Sequence, residues 1–255
     1  MMVKKIKSYL VYTCCFSIAF FLLSCELDNF EGPDAQVFGA LIDAKTGEPV
    51  QQEIGTSGDA AKIQVIEYGY SSKNPQEWLI KTNGEYRNNL VFSGTYDVVI
   101  NRGNFVKLDT IKGYKFLPGA NELSFMVTPN IRVIEPSVTK EENNIVARFK
   151  LEYGHDAGKV DEIALFAQED SHPSNTFNLT RTTRNVSDRE LTYENNAAFK
   201  NEVFEVAIDL NSDQGRALVA GKKYFFRVGA KPVGLEGEQI RYNYSKVFEL
   251  EWSEN

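Results

Sequence analysis

The chain has 255 residues, a formal net charge of −7 and 42% hydrophobic residues. That is enough apolar chain for one large or two modest cores, and an acidic surface repels nucleic-acid phosphates and anionic lipid, which argues against both as partners. Three cysteines and two histidines leave little material for a disulfide framework or a metal centre.

Lys4, Lys5 and Lys7 form a basic start, and Leu10 to Leu23 is an almost unbroken apolar run. This is the layout of a secretory signal. The run is shorter than the about 20 apolar residues of an ordinary membrane span. It closes in Phe20-Phe21-Leu22-Leu23-Ser24-Cys25, two apolar residues, a small residue and a cysteine, which resembles a bacterial lipobox. The resemblance implies that residues 1–24 are removed and that Cys25 becomes the lipidated first residue of a chain anchored to the outer membrane. Cys14 and Cys15 lie in the leader, so the mature chain keeps no pair of cysteines to bridge. Loss of the three lysines takes the charge from −7 to −7 − 3 = −10.

Residues 25–34, Cys25-Glu26-Leu27-Asp28-Asn29-Phe30-Glu31-Gly32-Pro33-Asp34, read as an acidic tether. Acidic residues just after a lipid-bearing cysteine resemble the surface-export signal of Bacteroidetes lipoproteins. That implies display on the cell surface. A plain solvated tether has the same composition.

Residues 35–129 read as a first β-sandwich of about seven strands. Val37 to Asp43 is the first strand, and Lys45-Thr46-Gly47-Glu48-Pro49 turns the chain. Ile63 and Val65 alternate with Lys62 and Gln64. Trp78 to Lys81 leads into Asn83-Gly84, a hairpin signal because both residues tolerate positive φ. Tyr96, Val98 and Ile100 should share one face, as should Leu123, Phe125 and Val127. Gly39-Ala40-Leu41-Ile42-Asp43-Ala44-Lys45-Thr46-Gly47-Glu48-Pro49-Val50 and Ser93-Gly94-Thr95-Tyr96-Asp97-Val98-Val99 resemble carboxypeptidase regulatory-like, or prealbumin-like, domains.

Residues 130–255 read as a second β-sandwich. Ile131 to Val138 begins it, and Ile145, Ala147, Phe149, Leu151 and Tyr153 form a clean half-buried alternation. Glu162 to Gln168 and Val203 to Leu210 are further strands. The polar stretch from Asp170 to Asn201 should hold a strand or two among irregular connections. Leu218 to Ala230 resembles the late core strand of fibronectin type III and immunoglobulin-like sandwiches. There Tyr224 would be the tyrosine corner, and Tyr224, Phe226, Val228 and Ala230 would face the core. The expected fold class is therefore all-β, two β-sandwiches in tandem behind a lipoprotein signal peptide.

Over its mature length the chain resembles the Bacteroidetes surface-lipoprotein family found beside SusC/SusD-type glycan-uptake pairs. The stretches that carry this are Cys25-Glu26-Leu27-Asp28-Asn29-Phe30, the first-strand motif, Asn83-Gly84-Glu85-Tyr86-Arg87-Asn88 and Val127-Thr128-Pro129-Asn130-Ile131-Arg132. The resemblance implies an accessory protein of polysaccharide capture, with a SusC/SusD-like transporter pair as partner.

His155 and His172 lie in polar, glycine- or proline-flanked stretches without a second ligand at metal spacing. Asp170-Ser171-His172 has triad residue types but no triad geometry, and no phosphate or calcium loop is present. No catalytic residue, metal or cofactor is expected, and the protein is read as a binder of polysaccharide or oligosaccharide and not as an enzyme. Sugar rings stack on exposed aromatic faces. Trp78, beside the Asn83-Gly84 turn, is the first candidate platform, followed by Tyr68 and Tyr70 around Gly69. Tyr153 and Tyr242 are the candidates in the second domain, where Phe177 and Tyr193 also fall in or near loops. Asp109-Thr110-Ile111 resembles the Bacteroidetes O-glycosylation acceptor, with Thr110 as the modified residue. The rival readings are a spacer of the same surface complex with no glycan site, and a hydrolase with two carboxylates flanking a cleft.

Replacing Cys25 with Ala should release the protein from membranes. Membrane fractionation reads the outcome, and unchanged retention would show that the anchor lies elsewhere.

Overall fold

The computed structural model describes residues 31–55, 60–71, 73–101, 103–155, 158–233 and 241–253. Cys25, the leader and most of the tether lie outside the described residues.

Period-two alternation builds two sandwiches in succession. In the first, β1 (Ala35–Asp43) is the centre of one sheet. It pairs antiparallel with β4 (Glu85–Val91), and parallel with β7 (Gly119–Glu122) and then β8 (Phe125–Val127). The facing sheet runs β3 (Gln76–Leu79), β2 (Lys62–Glu67), β5 (Gly94–Asn101), β6 (Ile111–Phe116), antiparallel throughout. Ile63, Val65, Tyr96, Val98 and Ile100 meet Val37, Leu41, Phe125 and Val127 between the sheets.

One expectation is corrected here. Asn83-Gly84 does form a tight turn, with Gly84 at φ +84° and the Gly84 N–H donating to the Lys81 carbonyl at 2.9 Å. The strands it joins, however, belong to opposite sheets. The turn crosses the sandwich because Trp78 and Ile80 on one side, and Tyr86 and Val91 on the other, must all reach the same core. A Cβ on Gly84 would sit 2.5 Å from the Val50 carbonyl oxygen, so glycine is required for space as well as for φ. Strand β6, with Ile111, Lys112 and Lys115 exposed, carries no clear alternation and was not foreseen.

The second sandwich packs a three-stranded sheet of β13 (Phe204–Asp209), β10 (Asn144–Tyr153) and β9 (Ile131–Glu141) against a larger one. The larger sheet runs β12 (Thr180–Asn185), β11 (Lys159–Gln168), β14 (Lys223–Val233), β15 (Asn243–Tyr244), with β16 (Phe248–Glu251) pairing the first part of β14. Between β12 and β13 lies the short helix α1 (Asn196–Phe199), whose Phe199 is buried. Tyr224, Phe226, Val228 and Ala230 all point into the core.

Tyr224 makes the expected corner. Its ring is fully buried against Trp252, and its hydroxyl accepts from the Val219 N–H at 3.1 Å and faces the Ala217 carbonyl at 3.5 Å. Tyr224→Phe removes that acceptor and should cost about 1 kcal/mol of unfolding free energy. Urea denaturation followed by fluorescence measures it; an unchanged midpoint would show that the hydroxyl contributes nothing.

Candidate functional site

The two sandwiches meet where loops of the first cover the outer face of the larger sheet of the second. That face is apolar at its centre. Along β11, Ile163, Leu165 and Ala167 belong to the sandwich core, while Ala164 and Phe166 point the other way and form a separate cluster with Tyr242 and Tyr244. The strand is thus covered on both sides, which explains why Ile163-Ala164-Leu165-Phe166-Ala167 reads as a continuous apolar run. Gly229 of β14 makes room for this cluster. A Cβ there would stand 2.8 Å from both Phe166 and Tyr242, whose rings meet edge to face at 5.2 Å.

Beside Gly229 on the same face is Arg227, with no solvent exposure. Its Nε donates to the Ser245 carbonyl at 2.9 Å within the second sandwich. Nη1 donates to the Gln52 carbonyl at 2.9 Å and Nη2 to the Thr82 carbonyl at 3.0 Å, both in the first sandwich. The guanidinium lies 4.3 Å from the centroid of the Tyr244 ring. Burial pushes its pKa down to about 10, opposed by the nearby Tyr244 and Glu53, so it stays protonated at neutral pH. The Tyr244 hydroxyl donates to Glu53 Oε2 and accepts from the Asn175 N–H at 3.2 Å. Burial, and then the Glu53 charge, push that hydroxyl well above its ordinary range.

Amides complete the seam. Asn104 Nδ2 donates to the Gln51 and Tyr242 carbonyls at 3.0 and 3.1 Å, and Gln52 Nε2 donates to Asn104 Oδ1 at 2.9 Å. Asn243 Nδ2 donates to the Asn104 carbonyl at 2.8 Å. On the opposite side, Arg132 grips Asp43 in a two-pronged pair at 2.6 and 2.8 Å. Burial would raise the Asp43 pKa, but this pair and the Lys45 N–H hold it below the usual value. Next to the Arg132 pair, the seam opens into an apolar groove of about 610 Å³.

Within the seam is a polar pocket of about 230 Å³. The first sandwich supplies Gln52, Glu53 and Asn104, and the second supplies Glu162, Asn175, Arg181, Lys231, Arg241, Tyr242 and Tyr244. Glu162 accepts from the Tyr242 hydroxyl and, at 3.1 Å, from Lys231 Nζ. Burial would raise its pKa; those two donors and the Lys231 charge more than offset this and hold it low. Glu53 is 7% exposed, and its Oε1 has no hydrogen-bond partner among the described residues. A buried carboxylate oxygen without a donor is costly, so the pocket has unmet capacity to accept a hydrogen bond. Asn175 sits in a tight loop where Ser174 N donates to the Phe177 carbonyl at 2.7 Å, and the Phe177 side chain of this loop is exposed.

The sequence candidates fall in three places. Trp78 is only 6% exposed and packs on Phe116 at 5.9 Å in the first core. Tyr153 is 2% exposed against Phe199. Neither is a platform, because each stands at an inward position of its strand, and both assignments are corrected. Tyr242 is also mostly covered, yet it forms a wall of the pocket. Tyr68 and Tyr70 are 50% and 66% exposed but lie on the first sandwich, away from the pocket. Thr110 is exposed in the loop before β6. Arg227, Glu53 and Glu162 were missed. The one signal pointing to them was the unbroken apolar run in β11, which marks a strand with two covered faces.

The model of the N-terminal domain of DUF3823, a protein family of unknown function, matches residues 35–128, and that of the C-terminal domain, DUF3823_C, matches residues 131–249. A crystal structure from Bacteroides uniformis is 33% identical with a TM-score of 0.74, covering 86% of this chain and 100% of the other. The chain belongs to the DUF3823 family. That neighbour is described as a "putative carbohydrate binding protein". A DUF3823 structure from the same species, at 16% identity and TM-score 0.68, covers 86% of this chain and all of its own. Another from Parabacteroides merdae, at 19% and 0.67, covers 87% of this chain and all of its own. These two share the DUF3823 fold. Among curated proteins, none matches the chain.

Arg227→Met should leave two carbonyls of the first sandwich without donors and Glu53 without its nearby cation. The expected cost is about 3 kcal/mol, with the single unfolding transition separating into two. Scanning calorimetry reads both effects; one unshifted transition would show that the buried cation does not couple the halves.

Proposed function

We propose that this DUF3823 protein is a non-enzymatic cell-surface lipoprotein. It binds saccharide in the seam pocket and retains polysaccharide for an outer-membrane uptake complex. The observation that carries the reading is the pocket itself. It has amide, carboxylate and cationic groups, one tyrosine wall, and a buried Glu53 oxygen still able to accept a hydrogen bond. A sugar presents hydroxyl donors to such groups and an apolar C–H face to a ring. The carbohydrate-binding description of the 33% identical Bacteroides uniformis protein supports the same ligand class.

The pocket holds its ligand and does not cleave it. A glycosidase acid needs a raised pKa, whereas Glu162 is held low by Tyr242 and Lys231. Cys25 carries the anchor, the acidic tether displays the protein outward, and a SusC/SusD-like pair receives the glycan. The net charge of −7 disfavours nucleic acid. A second reading, a rigid spacer of the same complex without a glycan site, is favoured by the extent to which Tyr242 is covered.

Titration calorimetry against a panel of neutral and acidic polysaccharides tests the reading. Arg181→Ala, at an exposed position lining the pocket, should weaken binding by about tenfold, or about 1.4 kcal/mol. Trp78→Phe should leave it unchanged. A wild-type protein that binds none of the panel, yet co-purifies with a transporter pair, would establish the spacer instead.

A further inference from the structure

The first sandwich has two poles, and strand pairing decides what lies at each. The pole at the seam carries the turns that hold Gln52, Thr82 and Asn104. At the opposite pole are the start of β1, the end of β4 and the start of β7, since Ala35 pairs with both Val91 and Gly119. The end of β2, the start of β5 and the end of β6 join them, through the pairs Glu67 with Tyr96 and Gly94 with Phe116. The segments there present Tyr68, Tyr70, Leu90, Phe92 and Leu117, all between 46% and 74% exposed. Five large apolar side chains gathered at one end of an acidic protein mark a surface that is covered in use.

The chain also arrives at this pole. The Asp34 carboxylate accepts from Ser93 N at 2.7 Å and Ser93 Oγ at 2.8 Å, and its carbonyl accepts from Gly119 N at 2.8 Å. Ser93 follows Phe92, and Gly119 comes two residues after Leu117. The point where the tether joins the fold is therefore pinned among the exposed apolar residues. The nine residues 26–34 can span at most about 30 Å even when fully extended.

We propose that this pole rests in the head-group region of the bilayer that holds the Cys25 lipid. The inference rests on the lipoprotein reading of Cys25. Tyrosine, phenylalanine and leucine are the residue types that settle at such an interface, and the contact is apolar, so the negative net charge does not oppose it on a zwitterionic surface. Leu90, Phe92 and Leu117 carry no polar group, whereas the pocket is lined mainly by amides, carboxylates and cations. The seam, at the other end of the first sandwich, is then turned away from the membrane.

The test uses the lipidated mature protein in phosphatidylcholine vesicles containing brominated lipid. It has no thiol besides the lipid-bearing Cys25, so Tyr70→Cys, Leu117→Cys and, in the second sandwich, Gln214→Cys each take one fluorophore. The labels at 70 and 117 should be quenched at least twofold and the label at 214 not at all. Adding Leu90→Glu and Phe92→Glu should abolish quenching at 70 without altering calorimetric saccharide binding. Unquenched pole labels on protein whose Cys25 carries lipid by mass spectrometry would overturn this proposal alone. Cys25 found without lipid would overturn the anchor and this proposal together. Pole labels shielded only when a second membrane protein is present would replace the bilayer with a protein partner.

Discussion

A guanidinium cannot be taken out of water unless its donors are met. Arg227 has no exposure, and two of the three carbonyls that receive it belong to the other sandwich. Much of the seam follows from that requirement. The loop at Gln52 and the turn at Thr82 must lie on the outer face of β14, which brings Glu53 to Tyr244 and Asn104 to Tyr242. The negative Glu53 then stands near the buried positive charge, with the Tyr244 ring and hydroxyl between them.

The same geometry makes the pocket a property of the pair of sandwiches. Gln52, Glu53 and Asn104 come from one, and Glu162, Lys231 and Tyr242 from the other. Neither half alone could form it. Gly229 shows how closely the backbone is fitted to the seam, since a methyl group there would collide with the ring of Phe166 and with that of Tyr242, which lines the pocket. The carboxylates in it differ in their surroundings: Glu162 is saturated by donors, whereas Glu53 keeps one oxygen free of any partner among the described residues. That difference leaves Glu53 able to accept a further hydrogen bond.

The first sandwich thus has two unlike ends. One is polar, buried and committed to the second sandwich; the other is apolar, exposed and holds the point where the tether joins. If Cys25 carries the proposed lipid, that polarity would decide which end meets the membrane.

Most strands were legible in the sequence because alternation at period two depends only on one covered face. Tyr96-Val98-Ile100, Ile145 to Tyr153 and Tyr224 to Ala230 all face their cores as the pattern requires. Tyr224 could be assigned its corner because the partner backbone is only a few residues away. The exposed or buried fate of single aromatics was not legible. Trp78 sits beside a turn in sequence, yet it occupies an inward position of β3, while Tyr242 reaches the pocket because a loop from the other sandwich folds over it. By itself the sequence determined the all-β class, the two sandwiches and their cores, since those rest on local periodicity. Tertiary structure alone decided the pairing of strands across the Asn83-Gly84 turn, the burial of Arg227 and the pocket. Each of these depends on which distant carbonyls and rings are brought within hydrogen-bonding or van der Waals reach, and no local pattern encodes that.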